Sequence, residues 1–304
     1  MTQLTVQSRD RSVRIAFDTF GDPSAPTVLL IQGLATQMIA WRPAFCRALA
    51  ARGFHAIRFD NRDIGLSERI RDGARPNPVA SVLKRHLGVP LRPSYTLDDM
   101  AEDAFGLLDR LGRRRAHVVG ASMGGMIGQV MAIRRPERVL SLTSMMSSTG
   151  ARNLPGATLR ALGSMLKPVP RDRPGYIAHQ VEQLRALGSR RFFDRRAAEG
   201  YFAEVAERSM DRSGVPRQLA AVLDAPARDG LLGRYDGPAR VIHGAEDPLL
   251  PPVHGWATAK ALGAPIELVP GMGHDLPEAL WRRYLNAIEG TARAASHHRA
   301  GAAA

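Results

Sequence analysis

AHVVGASMGG, residues 116 to 125, is the stretch on which the fold turns. A short apolar run, Ala116 to Val119, leads straight into Gly120-Ala121-Ser122-Met123-Gly124, and an amphipathic segment follows at once. A G-x-S-x-G pattern between strand and helix describes a turn so sharp that it lifts the serine Oγ to the strand tip. Side chains two positions before and two after the serine would clash, hence Gly120 and Gly124. The Met123 N–H, at the start of the following helix, is then free to donate to a developing oxyanion. Taken alone the pentapeptide also reads as a glycine-rich turn with a capping serine; its flanking strand and helix favour a nucleophile.

A serine hydroxyl is a poor nucleophile until a base takes its proton. Where a nucleophile sits on such a turn, its partners follow in the order acid, then histidine. VIHGAEDPLLPP places Asp247 just past a strand, in a Gly-x-x-Asp turn closed by prolines, and ELVPGMGHDLPE places His274 after the last strand, in a loop held by Gly271 and Gly273. Both therefore belong to the carboxyl edge of the sheet, with Ser122. His274 Nε2 is expected to face Ser122 and Nδ1–H to point at Asp247. Among rivals, Glu246 reads as solvated, Asp275 as poorly placed to reach the neighbouring ring, and His243 as a packed strand-end residue. His55 and His117 start strands at the opposite edge and read as structural; His86, His179 and His254 receive no role.

TVLLIQGLATQMIAW carries a second oxyanion donor: after the strand come Gln32-Gly33-Leu34, with Gly33 allowing close backbone approach and the Leu34 N–H aimed at Ser122. RFDNRDIGLSE, residues 58 to 68, follows the next strand, and Asp60 and Arg62 read as holding that turn and pairing locally. Met38, Met123, Met126, Met145, Met146 and Met272 crowd the strand tips; core packing explains most, and some are candidates for an adaptable acyl pocket.

Along the chain, short apolar runs alternate with longer amphipathic segments, the pattern of a parallel sheet flanked by helices. Central strands are predicted at Thr27 to Ile31, His55 to Phe59, Ala116 to Val119, Leu140 to Met145, Ala239 to Ile242 and Ile266 to Val269. The opening segment, with VRIAFDTFGD, reads as an antiparallel edge hairpin turning at Gly21-Asp22-Pro23. Helices are predicted at Arg42 to Arg52, Leu97 to Leu111, Met123 to Arg135, Val253 to Leu262 and Pro277 to Glu289, with Thr96 and Asp99 an approximate capping box. Residues 69–94, rich in Arg and Pro, read as an insertion after a strand tip. Residues 150–235 carry helical periodicity without strands and read as a cap. Residues 1–149 and 236–290 thus form the core, and 291–304 read as a disordered tail.

The 304 residues carry a formal charge of +13, which invites a nucleic-acid partner. There are only three lysines, however, Lys84, Lys167 and Lys260, and the arginines are spread along the whole chain, as on solvated helix faces. Nucleic acid is therefore not expected as a partner; a small-molecule ester is. Lacking a long apolar run and an N-terminal h-region, the chain is expected to span no membrane and to reside in the cytoplasm. Cys46 is alone, so no intrachain disulfide forms, and its place in a helical apolar repeat marks it as a buried structural thiol.

GASMGG, GAEDPLLPP, GMGH and DNRDIGLS together resemble the α/β-hydrolase superfamily over roughly residues 12 to 290. Within it, the D-x-R-D-x-G-x-S turn and the cap resemble the aclacinomycin-methylesterase-like group of bacterial carboxylesterases. The resemblance implies an α/β-hydrolase fold, a mostly parallel central sheet flanked by helices with a helical cap. It also implies a Ser122, Asp247 and His274 triad, oxyanion donors Leu34 and Met123, and no cofactor; no second Cys and no clustered His points to a metal site. Gln32 stands where many relatives have His, and Asp63 where relatives commonly have Gly. The expected reaction is carboxylic-ester hydrolysis through an acyl-enzyme. Perhydrolase, lactonase or C–C hydrolase chemistry on the same triad, or a non-catalytic binding protein, are the alternatives; Ser122 argues against the Asp-nucleophile dehalogenases and epoxide hydrolases.

Overall fold

The computed structural model describes residues 2–8, 11–71 and 76–302, with side chains to residue 296. Eight strands form one sheet: β1 (Thr2–Ser8), β2 (Arg11–Phe20), β3 (Thr27–Ile31), β4 (His55–Phe59), β5 (Ala116–Ala121), β6 (Val139–Met145), β7 (Ala239–Gly244) and β8 (Ile266–Val269), in the order β1-β2-β4-β3-β5-β6-β7-β8. β3 to β8 run parallel, whereas β1 and β2 pair antiparallel at one edge. The edge hairpin is therefore β1–β2. The turn at Gly21 to Pro23 was expected to close that hairpin; instead it joins β2 to β3, which are not neighbours, because β4 lies between them.

The eleven helices among the described residues are α1 (Pro43–Ala50), α2 (Pro78–His86), α3 (Leu97–Arg110), α4 (Met123–Arg134), α5 (Leu159–Met165), α6 (Arg173–Leu187), α7 (Arg195–Arg208), α8 (Val215–Asp224), α9 (Asp229–Leu232), α10 (Val253–Leu262) and α11 (Trp281–Ala302). Successive strand residues point to opposite faces, so each strand feeds two cores. Leu29, Ile31, Ile57 and Val118 pack with α3, α4 and α10, while Val28, Leu30, Ala56 and Val119 pack with α1 and α11. The Thr96–Asp99 capping box opens α3 in both directions. Cys46 is buried in the second core, and burial pushes its thiol up to about 12.

Residues from Thr291 were expected to be disordered. Thr291 to Ala302 continue α11 instead, with Thr291, Ala292 and Ala295 buried against the body and the Thr291 hydroxyl donating to Ala287 O at 2.7 Å, while residues 303 and 304 lie outside the described residues. Their small side chains, read as disorder, let the helix pack closely. The helical stretch 150–235 divides: α6 and α7 pack with Met38 and Ile39 in a separate cluster, whereas Ala221, Ala225, Leu232 and Tyr235 join the main core with α3 and α4.

The arginines are not all a solvated face. Arg62 is buried and grips Asp103 on α3 at 2.6 and 2.7 Å, and Arg217 grips the buried Asp63 at 2.8 and 2.7 Å. Asp60, expected to pair locally, reaches the Arg208 guanidinium 148 residues away at 2.9 Å, besides accepting from the N–H groups of Met38 and Leu66. Asp63 lies at φ +71, the left-handed backbone that glycine adopts without strain, and its ion pair with Arg217 gives a side chain reason to be there.

Candidate active site

Leu34, Ser122, Asp247 and His274 follow the carboxyl ends of β3, β5, β7 and β8 respectively, so the parallel topology brings all four to one edge. Ser122 has φ +55 and ψ −120, a conformation that costs an ordinary residue on the order of 1–3 kcal/mol. Its neighbours enforce it. A Cβ at Gly120 would come within 2.2 Å of Gly124 O, and one at Gly124 within 2.2 Å of Ile31 O. Ser147 Oγ donates to Ser122 O at 2.8 Å, tying the turn to the end of β6.

His274 Nε2 stands 3.0 Å from Ser122 Oγ, and His274 Nδ1 stands 2.7 Å from Asp247 Oδ2. The other Asp247 oxygen accepts from the N–H groups of Leu249 and Leu250, both at 2.9 Å. A carboxylate only accepts, so Nδ1 carries the proton and a neutral ring leaves Nε2 free to take the serine's. Burial disfavours charge on both groups, but their mutual attraction and hydrogen bond outweigh it: Asp247 is held below the usual carboxylate range and His274 above its ordinary value, with Asp275 adding to the latter.

A Cβ at Gly33 would sit 3.1 Å from Ser122 Cβ and 3.5 Å from its Oγ, so the loop after β3 lies directly against Ser122. The Leu34 and Met123 amides flank this point, and neither has a hydrogen-bond acceptor among the described residues. Gln32 lies just behind, its Nε2 buried without a partner and its carbonyl accepting from Asn61 Nδ2 at 2.9 Å.

The rivals separate cleanly. Glu246 is exposed, and Asp275 turns away to Ser189. His243 is fully buried, donates from Nε2 to Leu250 O at 2.8 Å, and is held below its ordinary pKa by burial. His117 bonds Ser141, and His254 bonds Ser148 and Pro155. The six strand-tip methionines are all buried in the three apolar clusters.

Two supports escaped sequence reading. Gln218 on α8 accepts from the Ala35 N–H at 3.0 Å and donates to Arg62 O at 2.7 Å, bracing the loop that carries Leu34. The end of α6 clasps the histidine loop: His274 N donates to Leu187 O at 2.8 Å, Gly273 N to Ser189 Oγ at 2.8 Å, and Ser189 N to Asp275 Oδ1 at 2.9 Å, with the Ser189 hydroxyl also on that oxygen. A Cβ at Gly273 would lie 2.4 Å from Gly188 C, so that glycine is required for the clasp. The partners are 86 residues apart and share no motif; only the glycines of GMGH hinted at a close approach.

A family model for the α/β hydrolase fold matches residues 26–195. Rhodomycin D methylesterase DauP of Streptomyces sp. (strain C5) is 30% identical over 91% of this chain and 94% of its own. Rhodomycin D methylesterase DnrP of Streptomyces peucetius is likewise 30% identical over the same shares. The chain belongs to the α/β-hydrolase family. The esterase RhEst1 from Rhodococcus sp. ECU1013 shares the fold at a TM-score of 0.73, with 18% identity over 96% of this chain and 99% of that one. Family and methylesterase relatives together make this α/β hydrolase a serine carboxylic-ester hydrolase. Among the described residues no helix is long and apolar enough to cross a membrane.

Proposed function

We propose that Ser122, His274 and Asp247 hydrolyse the methyl ester of a carboxylic acid, with the amides of Leu34 and Met123 as oxyanion donors. The observation that carries this reading is the unbroken relay of 3.0 and 2.7 Å from hydroxyl to imidazole to carboxylate. Ser122 Oγ attacks the ester carbonyl carbon as its proton passes to His274 Nε2. The carbonyl oxygen takes the negative charge, and each amide donor facing it lowers the barrier by about 3 to 4 kcal/mol. Collapse expels the alkoxide, which leaves as the alcohol with the proton from His274, and an acyl-enzyme remains. His274 then takes a proton from water as the hydroxide adds to the acyl carbon; collapse of this second tetrahedral intermediate breaks the bond to Ser122 Oγ, which takes the proton back from His274, and the carboxylic acid is released.

The methyl ester follows from the relatives, whose names state that they act on one. Of the helices between β6 and β7, α6 and α7 act as the cap, and cytoplasmic residence belongs to the same reading, in keeping with a single unpaired thiol. The test is hydrolysis of methyl and longer alkyl esters of graded acids, with Ser122→Ala as control. That substitution is expected to lower kcat by at least about a thousandfold. Wild-type rates no higher than those of Ser122→Ala would defeat the proposal, and a clear preference for longer alkyl esters would remove its methyl part.

A further inference from the structure

Two stretches combine cations with exposed apolar side chains. Residues 76–94 carry Lys84, Arg85 and Arg92, and residues 150–171 carry Arg152, Arg160, Lys167 and Arg171; neither contains an aspartate or glutamate. Two of the chain's three lysines fall there. Elsewhere many arginines are matched to carboxylates, as Arg62, Arg208 and Arg217 are, and none of the ion pairs among the described residues falls in either stretch.

The same stretches turn their apolar stripes to solvent. Val79, Val82, Leu83 and Leu87 recur at one helical face on and just past α2, between 46% and 68% exposed, while Ser81 is that helix's buried residue. On and just past α5, Leu159 at 88%, Leu162 and Leu166 do the same, with Ala161 buried. An amphipathic helix of a globular protein ordinarily turns this stripe to the core. Both helices border one segment: Arg85 donates to Gly150 O at 3.1 Å, and Thr158, the cap of α5, donates its N–H to Pro248 O at 2.9 Å, next to Asp247. Beside α5 opens a hollow of about 530 Å³ lined by Arg160, Lys167, His179 and Arg185, whose one acid, Glu182, already pairs with Arg195.

We propose that these two helix faces dock on an anionic lipid bilayer, the stripes entering the boundary between headgroups and acyl chains and the cations meeting lipid phosphates. Apolar side chains interleaved with Lys and Arg that form no ion pair among the described residues are what such a surface selects. A second copy of the chain would oppose cation to cation across a two-fold axis. A nucleic acid would satisfy the charge and leave the stripes in water. Docking here sets the rim that bears Asp247 against the phase in which apolar esters dissolve, and it stands independently of the ester chemistry.

The experiment is co-sedimentation of the full chain with vesicles of phosphatidylcholine alone and of phosphatidylcholine mixed with phosphatidylglycerol. Binding is expected to the mixed vesicles only, weakening at least about tenfold as salt rises from 0.05 to about 0.5 M. Leu83→Glu with Leu87→Glu, and separately Leu159→Glu with Leu166→Glu, are each expected to lower partitioning at least about tenfold. Both variants should hydrolyse a short soluble ester such as p-nitrophenyl acetate in buffer at the wild-type rate, which shows fold and site intact. No binding to the mixed vesicles, or binding that both pairs of substitutions leave unchanged, overturns the proposal. So does a dimer lost in the same variants without vesicle binding, or salt-sensitive retention on DNA without it. Vesicle binding by a chain that cleaves no ester would leave the docking in place and remove the ester reading.

Discussion

Ser189→Ala tests whether the end of α6 positions the imidazole of His274, the proposed base. The hydroxyl accepts from the buried Gly273 N–H at 2.8 Å and donates to Asp275 Oδ1, flanking His274 on both sides. Its removal orphans a buried amide, at a cost of about 1–3 kcal/mol, and deletes a hydrogen bond to a carboxylate, worth about 1.5–3 kcal/mol. The Ser189 N–H still holds Asp275 Oδ1 at 2.9 Å and Leu187 O still receives the His274 N–H, so the lower part of the sum applies, about 2.5 to 4 kcal/mol. Urea unfolding should register this as a lower midpoint with an unchanged slope. The remaining bonds leave the imidazole less well fixed, and a misplacement of about 1 Å costs on the order of a hundredfold. We expect kcat on p-nitrophenyl acetate to fall between about tenfold and a hundredfold with KM nearly unchanged. Asp275→Asn is the companion: it keeps an acceptor for Ser189 but removes a charge that, beside Asp247, favours the imidazolium. Its pH–rate midpoint should move down while kcat at high pH is largely kept. Loss of stability with wild-type kcat and pH profile in both variants would show that the clasp merely holds the fold together.

The rate kcat/KM should fall as pH drops through the pKa of His274, because only the neutral ring is a base, and the midpoint should lie above the ordinary histidine value since Asp247 raises it; a profile flat from pH 5 to 8 contradicts this. Asp247→Asn should move that midpoint to lower pH, as burial is then opposed only by the charge of Asp275, and lower kcat by roughly four orders of magnitude. Asp63→Gly relieves a left-handed φ, worth about 1–2 kcal/mol, but strands the buried Arg217 guanidinium at about 3–5 kcal/mol, so thermal unfolding should show net destabilisation rather than gain. Cys46 should react with iodoacetamide only after unfolding, since it is buried and its thiol is pushed up to about 12; labelling of the native protein at neutral pH contradicts that placement.

Much of the site is legible in the chain because its parts are local. Gly120 and Gly124 around Ser122, the turn at Asp247 and the glycines before His274 are demanded by backbone geometry within a few residues, and strand ends in a parallel sheet share an edge whatever lies between them. The same locality explains the errors. Small residues after Thr291 read as disorder because the groove that receives α11 comes from distant strands, and Asp60 and Arg62 looked locally paired because Arg208 and Asp103 become neighbours only once the chain has folded. By itself the sequence determined the class of fold and singled out the proposed nucleophile and its two proposed partners, since each is written in a short pattern with a steric cause. Tertiary structure alone decided how those partners are held: Gln218 beneath the loop of Leu34 and Ser189 beside His274 are joined to the site across 183 and 86 residues. Hydrogen bonds of that span depend on how helices pack over the sheet, which no local period or turn encodes.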